Sequence, residues 1–472
     1  MTIITMLTAG LSLATAPTST EVTVYNQGFG LVKELRTLNL KQGRQTVAIE
    51  DVASMIEPTS VGIRSLTDPN GLDVLEQNYQ YDLISPLAIL NKSVGQKVTF
   101  IRTIGTTKDT LTGTLLSAPT AIVGTTDGNQ STYNGLVIKT DDGRIVLDPT
   151  GEIQVNSIPD GLISKPTLLW DLESAKGGDN QVELSYITQG ISWRADYVLN
   201  LTPDNKTADL RGWVTMDNQS GATFRDAKLK LLAGDVNRAQ PNAVAPREMM
   251  FKAASAGRGG AGFEEEALFE YHLYTLQRPA TIKNREIKPL SLLERKGVKV
   301  QKNLNVNFTF CRQVPSESGD GSAKLNPSVE LEFKNTQENG LGIPIPKGIL
   351  KVYQTDKSGS VQMLGEDNID HTARNESIKL KVGRAFDVVA NRKRTDFKRL
   401  SDRSFRQTFE IEVRNRKQTD ETVTVIESAY GQWKVVSKNT EFTKLSNERL
   451  QFIVKLAPDE TKKIVYTIET TW

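Results

Sequence analysis

Two histidines, one cysteine and a few short runs of acids are the residues in this chain whose types could do chemistry beyond packing. His272 stands in the stretch Phe269-Glu-Tyr-His-Leu-Tyr-Thr-Leu276, just after the acids Glu264, Glu265 and Glu266 and a glycine-rich run. In an extended chain Glu270, His272 and Tyr274 project to one side. A carboxylate and an imidazole two residues apart could then relay a proton or hold a ligand. Phe269, Tyr271 and Leu273 would form the opposite, core-facing side. A hydrogen-bonded polar strand face accounts for the same residues without any reaction. His371 closes a second cluster, Glu366, Asp367, Asn368 and Asp370. Asp367, Asp370 and His371 are candidate ligands for calcium or another divalent ion. Their spacing is not that of an EF-hand loop, and a polar hairpin turn explains them more simply.

Other chemistries lack their residues. A serine or cysteine triad needs a histidine base and an exposed nucleophile, and no G-x-S-x-G elbow occurs. No H-E-x-x-H or close histidine pair marks a zinc hydrolase. The 56 acids neither select nor exclude a carboxylate pair for glycoside hydrolysis. Cys311 is the only cysteine, so no disulfide forms within the chain, and its alternating neighbours predict a buried structural thiol. The run Gly257-Arg-Gly-Gly-Ala-Gly262 lacks the flanking strand, helix and Lys-Ser/Thr ending of a phosphate loop. No catalytic residue is therefore assigned.

The elements that must position these residues are strands. Period-two alternation dominates, as in Glu21-Val-Thr-Val-Tyr25, Ile378-Lys-Leu-Lys-Val382 and Phe409-Glu-Ile-Glu-Val413. Turn signals such as Asp68-Pro-Asn-Gly71 and Thr140-Asp-Asp-Gly143 interrupt it. One short helix is predicted, with Ser85 as N-cap, Pro86 at the first position and a stop near Gly95. The fold class is all-β, in several β-sandwich and small-barrel units. The segments expected are a signal peptide over 1–16, an N-terminal β region over 17–84, and an SH3-like or Sm-like small barrel over 85–160. A central β domain follows over 165–375 with a mobile loop at 238–266, then an Ig-like sandwich over 376–472. In the strand after Gly190, Ile191, Trp193, Ala195, Tyr197 and Leu199 share a core face. Arg194 and Asp196 share the other, where they are expected to pair and are further candidate binding residues.

Charge and composition narrow the partners. The 472 residues carry a formal net charge of +2, with 38% hydrophobic and 24% charged residues, as in ordinary globular proteins. Such a balance gives no field that would favour nucleic acid. The basic run from Asn391 to Arg406 is interleaved with Asp396 and Asp402 and is expected to be a salt-bridged strand face. The apolar run Ile3–Ala14 followed by Ala14-Thr15-Ala16 reads as a secretory signal with a signal-peptidase site. No other stretch approaches the ~20 apolar residues of a transmembrane helix.

Four stretches carry a family resemblance: "SYITQGISWRADYVLNL", "GWVTMDNQSGATFRDAKLKLLAGDVN", "FEYHLYTLQRPATIKNREIKPLSLL" and "GEDNIDHTARNESIKLKVGRAFDVVANRKRTDF". They resemble a bacterial family of unknown function whose domain also forms the carboxy-terminal half of mucoidy inhibitor A-like proteins. The resemblance spans about Lys165 to Trp472. It implies an exported, β-rich protein with no assigned reaction and, through mucoidy, a link to envelope or surface polysaccharide. The expectation is a secreted or periplasmic, non-enzymatic binding or scaffold protein of the cell envelope. Its partner would be an envelope protein or polysaccharide, its oligomeric state is left open, and it needs no cofactor beyond an optional calcium ion. The alternatives are a hydrolase acting on envelope polysaccharide or peptide through carboxylates, and a calcium-stabilised adhesin.

Overall fold

The computed structural model describes residues 12–104, 107–124, 131–238, 263–308 and 321–472. Cys311 and most of the 238–266 loop, including the glycine-rich run, lie outside them. The end of that loop does not: Phe263–Leu268 is a strand, because it pairs residue for residue with Tyr271–Leu276.

Strands are the dominant element of the described residues, as the alternation predicts. The helix is where its signals put it, Pro86–Lys92, with the Ser85 hydroxyl accepting from the Ala88 amide at 3.1 Å. The chain forms two compact units. The first takes residues up to Ser192, Asp217–Lys230 and Pro279–Glu286; the second takes Trp193–Met216, Leu231–Arg278 and Ile287–Trp472.

In the first unit the strands Ser19–Tyr25, Phe29–Leu40, Gly178–Gln189 and Gly62–Ser65 pair in that order, all antiparallel. A four-stranded sheet carries Ser12–Leu13, Gly43–Glu50, Thr167–Ser174 and Leu72–Gln80. Residues at the expected signal-peptidase site are engaged here: the Ala14 amide donates to the Ala48 carbonyl at 3.0 Å. The region expected to form a small barrel holds a seven-stranded sheet between Lys97 and Val155. Phe100, Leu115, Leu136 and Ile138 are its buried centre. Gly113 is required there, since a Cβ would lie 2.4 Å from the Lys139 carbonyl oxygen on the neighbouring strand.

In the second unit, the strand Ile191–Leu201 buries Trp193, Ala195, Tyr197 and Leu199 as its alternation predicts. From Ala195 onward it pairs in parallel with Gly348–Thr355, which forms a hairpin with Val361–Ile369. The C-terminal sandwich packs a six-stranded sheet against a five-stranded one. Leu304, Val306, Phe308, Val423, Val425 and Phe452 meet Phe409, Ile411, Val413, Ile464, Tyr466 and Ile468 in its core. Each such large side chain contributes roughly 1.5–3 kcal/mol of burial. Its strands begin at Gln301, upstream of position 376, because Gln301–Phe308 pairs in parallel with Glu421–Ser428. The basic run at 391–406 forms the paired faces predicted: Lys393 meets Glu410 at 3.2 Å and Arg399 meets Asp402 at 2.9 Å.

Candidate functional site

The hairpin that carries His272 differs from the single strand expected from residue 269 onward. Phe269 and Glu270 are the turn, and Phe269 has the left-handed φ of +58° and is 72% exposed. Phe269 is therefore no core residue, and Tyr271 is only half-buried. Leu273, Tyr274 and Leu276 are all buried, so both faces of the second strand are covered. A bulky residue at positive φ is rare, and no glycine or asparagine advertises this turn.

The turn removes Glu270 from the histidine and supplies a different acid. Glu265 lies opposite Tyr274 in the hairpin register, on the same face as His272. Its Oε1 is 2.7 Å from His272 Nδ1. The carboxylate is buried, 6% exposed, whereas the imidazole is 39% exposed. Diagonal cross-strand neighbours are well placed for such a pair. With Nδ1 directed at a carboxylate, neutral His272 carries its proton there and presents Nε2 as an acceptor.

Tyr274 points the hairpin at a second segment, Leu341-Gly-Ile-Pro-Ile-Pro-Lys-Gly348. Its hydroxyl donates to the Pro344 carbonyl at 3.1 Å, and the Tyr197 hydroxyl donates to the Pro346 carbonyl at 2.8 Å. Burial pushes both phenols well above their usual range; Glu265 adds to this at Tyr274, and Tyr274 and Asp196 add at Tyr197. Both hydroxyls therefore stay protonated donors. Asn335, fully buried, clamps the start of the segment. Its Nδ2 donates to the Ile343 and Ala373 carbonyls at 2.7 and 2.9 Å, and its Oδ1 accepts from Gly342 at 3.0 Å.

His371 meets the other end. Its Nδ1 accepts from the Lys347 amide at 3.2 Å, which fixes the neutral tautomer with the proton on Nε2. Lys347 Nζ pairs with Asp235 at 3.0 Å. Desolvation, the Lys347 ammonium and His272 hold the His371 imidazole below its ordinary range, against the opposing pull of Asp235 and Asp370. The two histidines of the chain, 99 positions apart in sequence, are thus close enough for a charge on one to disfavour a charge on the other.

The remaining sequence candidates fall elsewhere or apart. Arg194 and Asp196 do pair, Nε to Oδ2 at 3.2 Å, and Asp196 also accepts from Thr215 at 2.9 Å. Glu366, Asp367 and Asn368 lie within the strand Val361–Ile369 and not in a turn. The strand pleat sends successive residues to opposite faces, so these acids do not converge. Asp367 is occupied by main chain, accepting from the Lys381 amide at 2.7 Å and from the Asn368 amide at 2.9 Å. Asp370 stands at the surface beside His371. Among the described residues, no group of three or more His, Cys, Asp or Glu side chains is placed to hold a metal ion. Glu265, Lys347, Asp235 and Asn335 are the members of the cluster that strand periodicity did not single out. The two six-residue runs flanking Phe269-Glu270 are the signal that could have found Glu265.

The chemistry open to the cluster is donation and acceptance of protons at one half-buried and one exposed imidazole. Among the described residues the hydrogen-bond partner of His272 is a carboxylate, not a hydroxyl or thiol nucleophile. No curated protein matches the chain. The family described as "Domain of unknown function (DUF4139)" matches residues 182–472, which hold all of the histidine cluster. The chain belongs to this family of unknown function.

Proposed function

We propose that this chain is an exported, non-enzymatic β-rich protein that binds or scaffolds a partner at the cell envelope. The observation that carries the reading is how the polar groups of the histidine cluster are engaged. Tyr274, Tyr197, Asn335 and His371 are all bonded to main-chain atoms of the segment 342–347 or its neighbours. Groups so engaged fix a backbone shape; they do not stand ready to attack a substrate. The apolar run Ile3–Ala14 supports export, whereas the Ala14-Thr15-Ala16 site is tied into the sheet and is no support for cleavage there. The resemblance to the carboxy-terminal half of mucoidy inhibitor A-like proteins supports an envelope polysaccharide, or a protein handling one, as the partner.

The test is co-sedimentation of purified protein with an insoluble bacterial envelope fraction, with release of soluble sugar or peptide followed in the same tubes. Binding without release is expected. Release that depends on the protein would overturn the reading.

One observation favours a second reading, a hydrolase of envelope polymers. A buried carboxylate orienting a half-exposed histidine is the base half of a catalytic triad, and Nε2 of His272 could activate a water. In that case release would vanish in His272→Gln while binding persisted.

A further inference from the structure

The segment Ile343-Pro-Ile-Pro-Lys347 has few ways to be held. Pro344 and Pro346 carry no N–H, so the amides left at its far end are those of Ile345 and Lys347. Ile345 donates to the Thr372 carbonyl and accepts from the Thr372 amide, both at 2.9 Å. Those acceptors do not titrate. The Lys347 amide donates instead to an imidazole nitrogen, Nδ1 of His371. An imidazolium has no lone pair at either nitrogen, so a proton on Nδ1 abolishes this bond outright. Directly after Lys347 the chain enters the parallel pairing with the strand from Ala195. Gly348 is needed there because a Cβ would lie 2.1 Å from the Ala195 carbonyl oxygen.

We propose that His371 is a proton-operated latch on the 343–347 segment, closed when the imidazole is neutral and opened when Nδ1 is protonated. Opening frees the Lys347 amide and loosens the carbonyls of Pro344 and Pro346, on which the Tyr274 and Tyr197 hydroxyls rest. The charged groups around His371 are Lys347 and His272, which oppose its protonation, and Asp235 and Asp370, which favour it. Asp235 is the acid that the Lys347 ammonium holds at 3.0 Å, so the same lysine contributes to the latch through its amide and through its side chain. The sign follows from the bond. Folding with the latch closed favours neutral His371, so the contribution is present above pH ~6.5 and is lost as pH falls below it. The latch is a property of the segment and stands whether or not a ligand binds nearby.

Hydrogen exchange at the Lys347 amide, expressed as a protection factor between pH 7.5 and pH 5, tests this on the full chain. Protection in the wild type is expected to fall about tenfold towards pH 5, the scale of one hydrogen bond. His371→Asn, whose side-chain oxygen takes the place of Nδ1 without titrating, should keep the amide protected at both pH values. His371→Ala should leave it unprotected at both. Wild-type protection that does not change with pH overturns the latch, as does a pH dependence that survives in either variant. Melting temperature measured alongside separates local opening from loss of the fold.

Discussion

Two acid–base pairs in the second unit share a distance and differ in nearly everything else. In the C-terminal sandwich Arg392 Nη1 meets Glu427 at 2.8 Å; in the hairpin His272 Nδ1 meets Glu265 at 2.7 Å. Both carboxylates are buried. Arg392 is sealed as well, its guanidinium lying 5.1 and 5.3 Å from the Phe308 and Phe409 ring centres. It joins the five-stranded sheet to the six-stranded one, and arginine keeps its charge at any pH the fold survives. His272 is open to water and belongs to a cluster whose other imidazole changes its bonding with one proton. The same acid in a β core therefore becomes a sealed cross-tie between two sheets or part of a contact open to water, according to the cation set beside it.

The comparison can be broken from the sandwich side first. Arg392→Ala leaves Glu427 buried without its cation and should destabilise the protein by about 3–5 kcal/mol, measured by denaturant unfolding. Next comes the pH response, which should have opposite signs in the two regions. Burial outweighs the attraction of Arg392 and pushes Glu427 up to about 7. A raised carboxyl favours the protonated form in the fold. Its contribution is therefore full below pH ~4.5 and is lost as pH rises through about 7. Melting followed from pH 5 to pH 8 should show this loss in the wild type and not in Glu427→Gln. The latch at His371 loosens in the other direction, towards acid. A smaller effect is expected at the hairpin, where Glu265→Ala removes one bond to a half-exposed histidine and should cost about 1–2 kcal/mol. Smallest is Tyr274→Phe, which deletes only the hydroxyl on the Pro344 carbonyl and should cost about 0.5–1.5 kcal/mol.

How much of this could be read beforehand divides along the same line. Alternation placed the strands, because side chains on a half-buried sheet must alternate, and it placed Trp193, Ala195, Tyr197 and Leu199 in a core and Arg194 beside Asp196. Ser85 and Pro86 marked the helix because capping is local. Strand spacing sets Glu270 beside His272, whereas the fold pairs it with Glu265, since hairpin register depends on a turn at Phe269 whose φ no local residue preference announces. That His272 comes near enough to disfavour a charge on His371 depends on the path of the whole chain, and no spacing encodes it. Glu366, Asp367 and Asn368 read as a turn by composition but lie in a strand, because they pair with Lys351, Leu350 and Ile349.

The central claim is that the histidine cluster holds structure and does not catalyse. Purified wild type and His272→Gln, incubated at pH 7 with an insoluble envelope fraction, should both bind it and release no soluble reducing sugar or peptide amine. Release by the wild type that is lost in His272→Gln, with melting temperature unchanged, would contradict it.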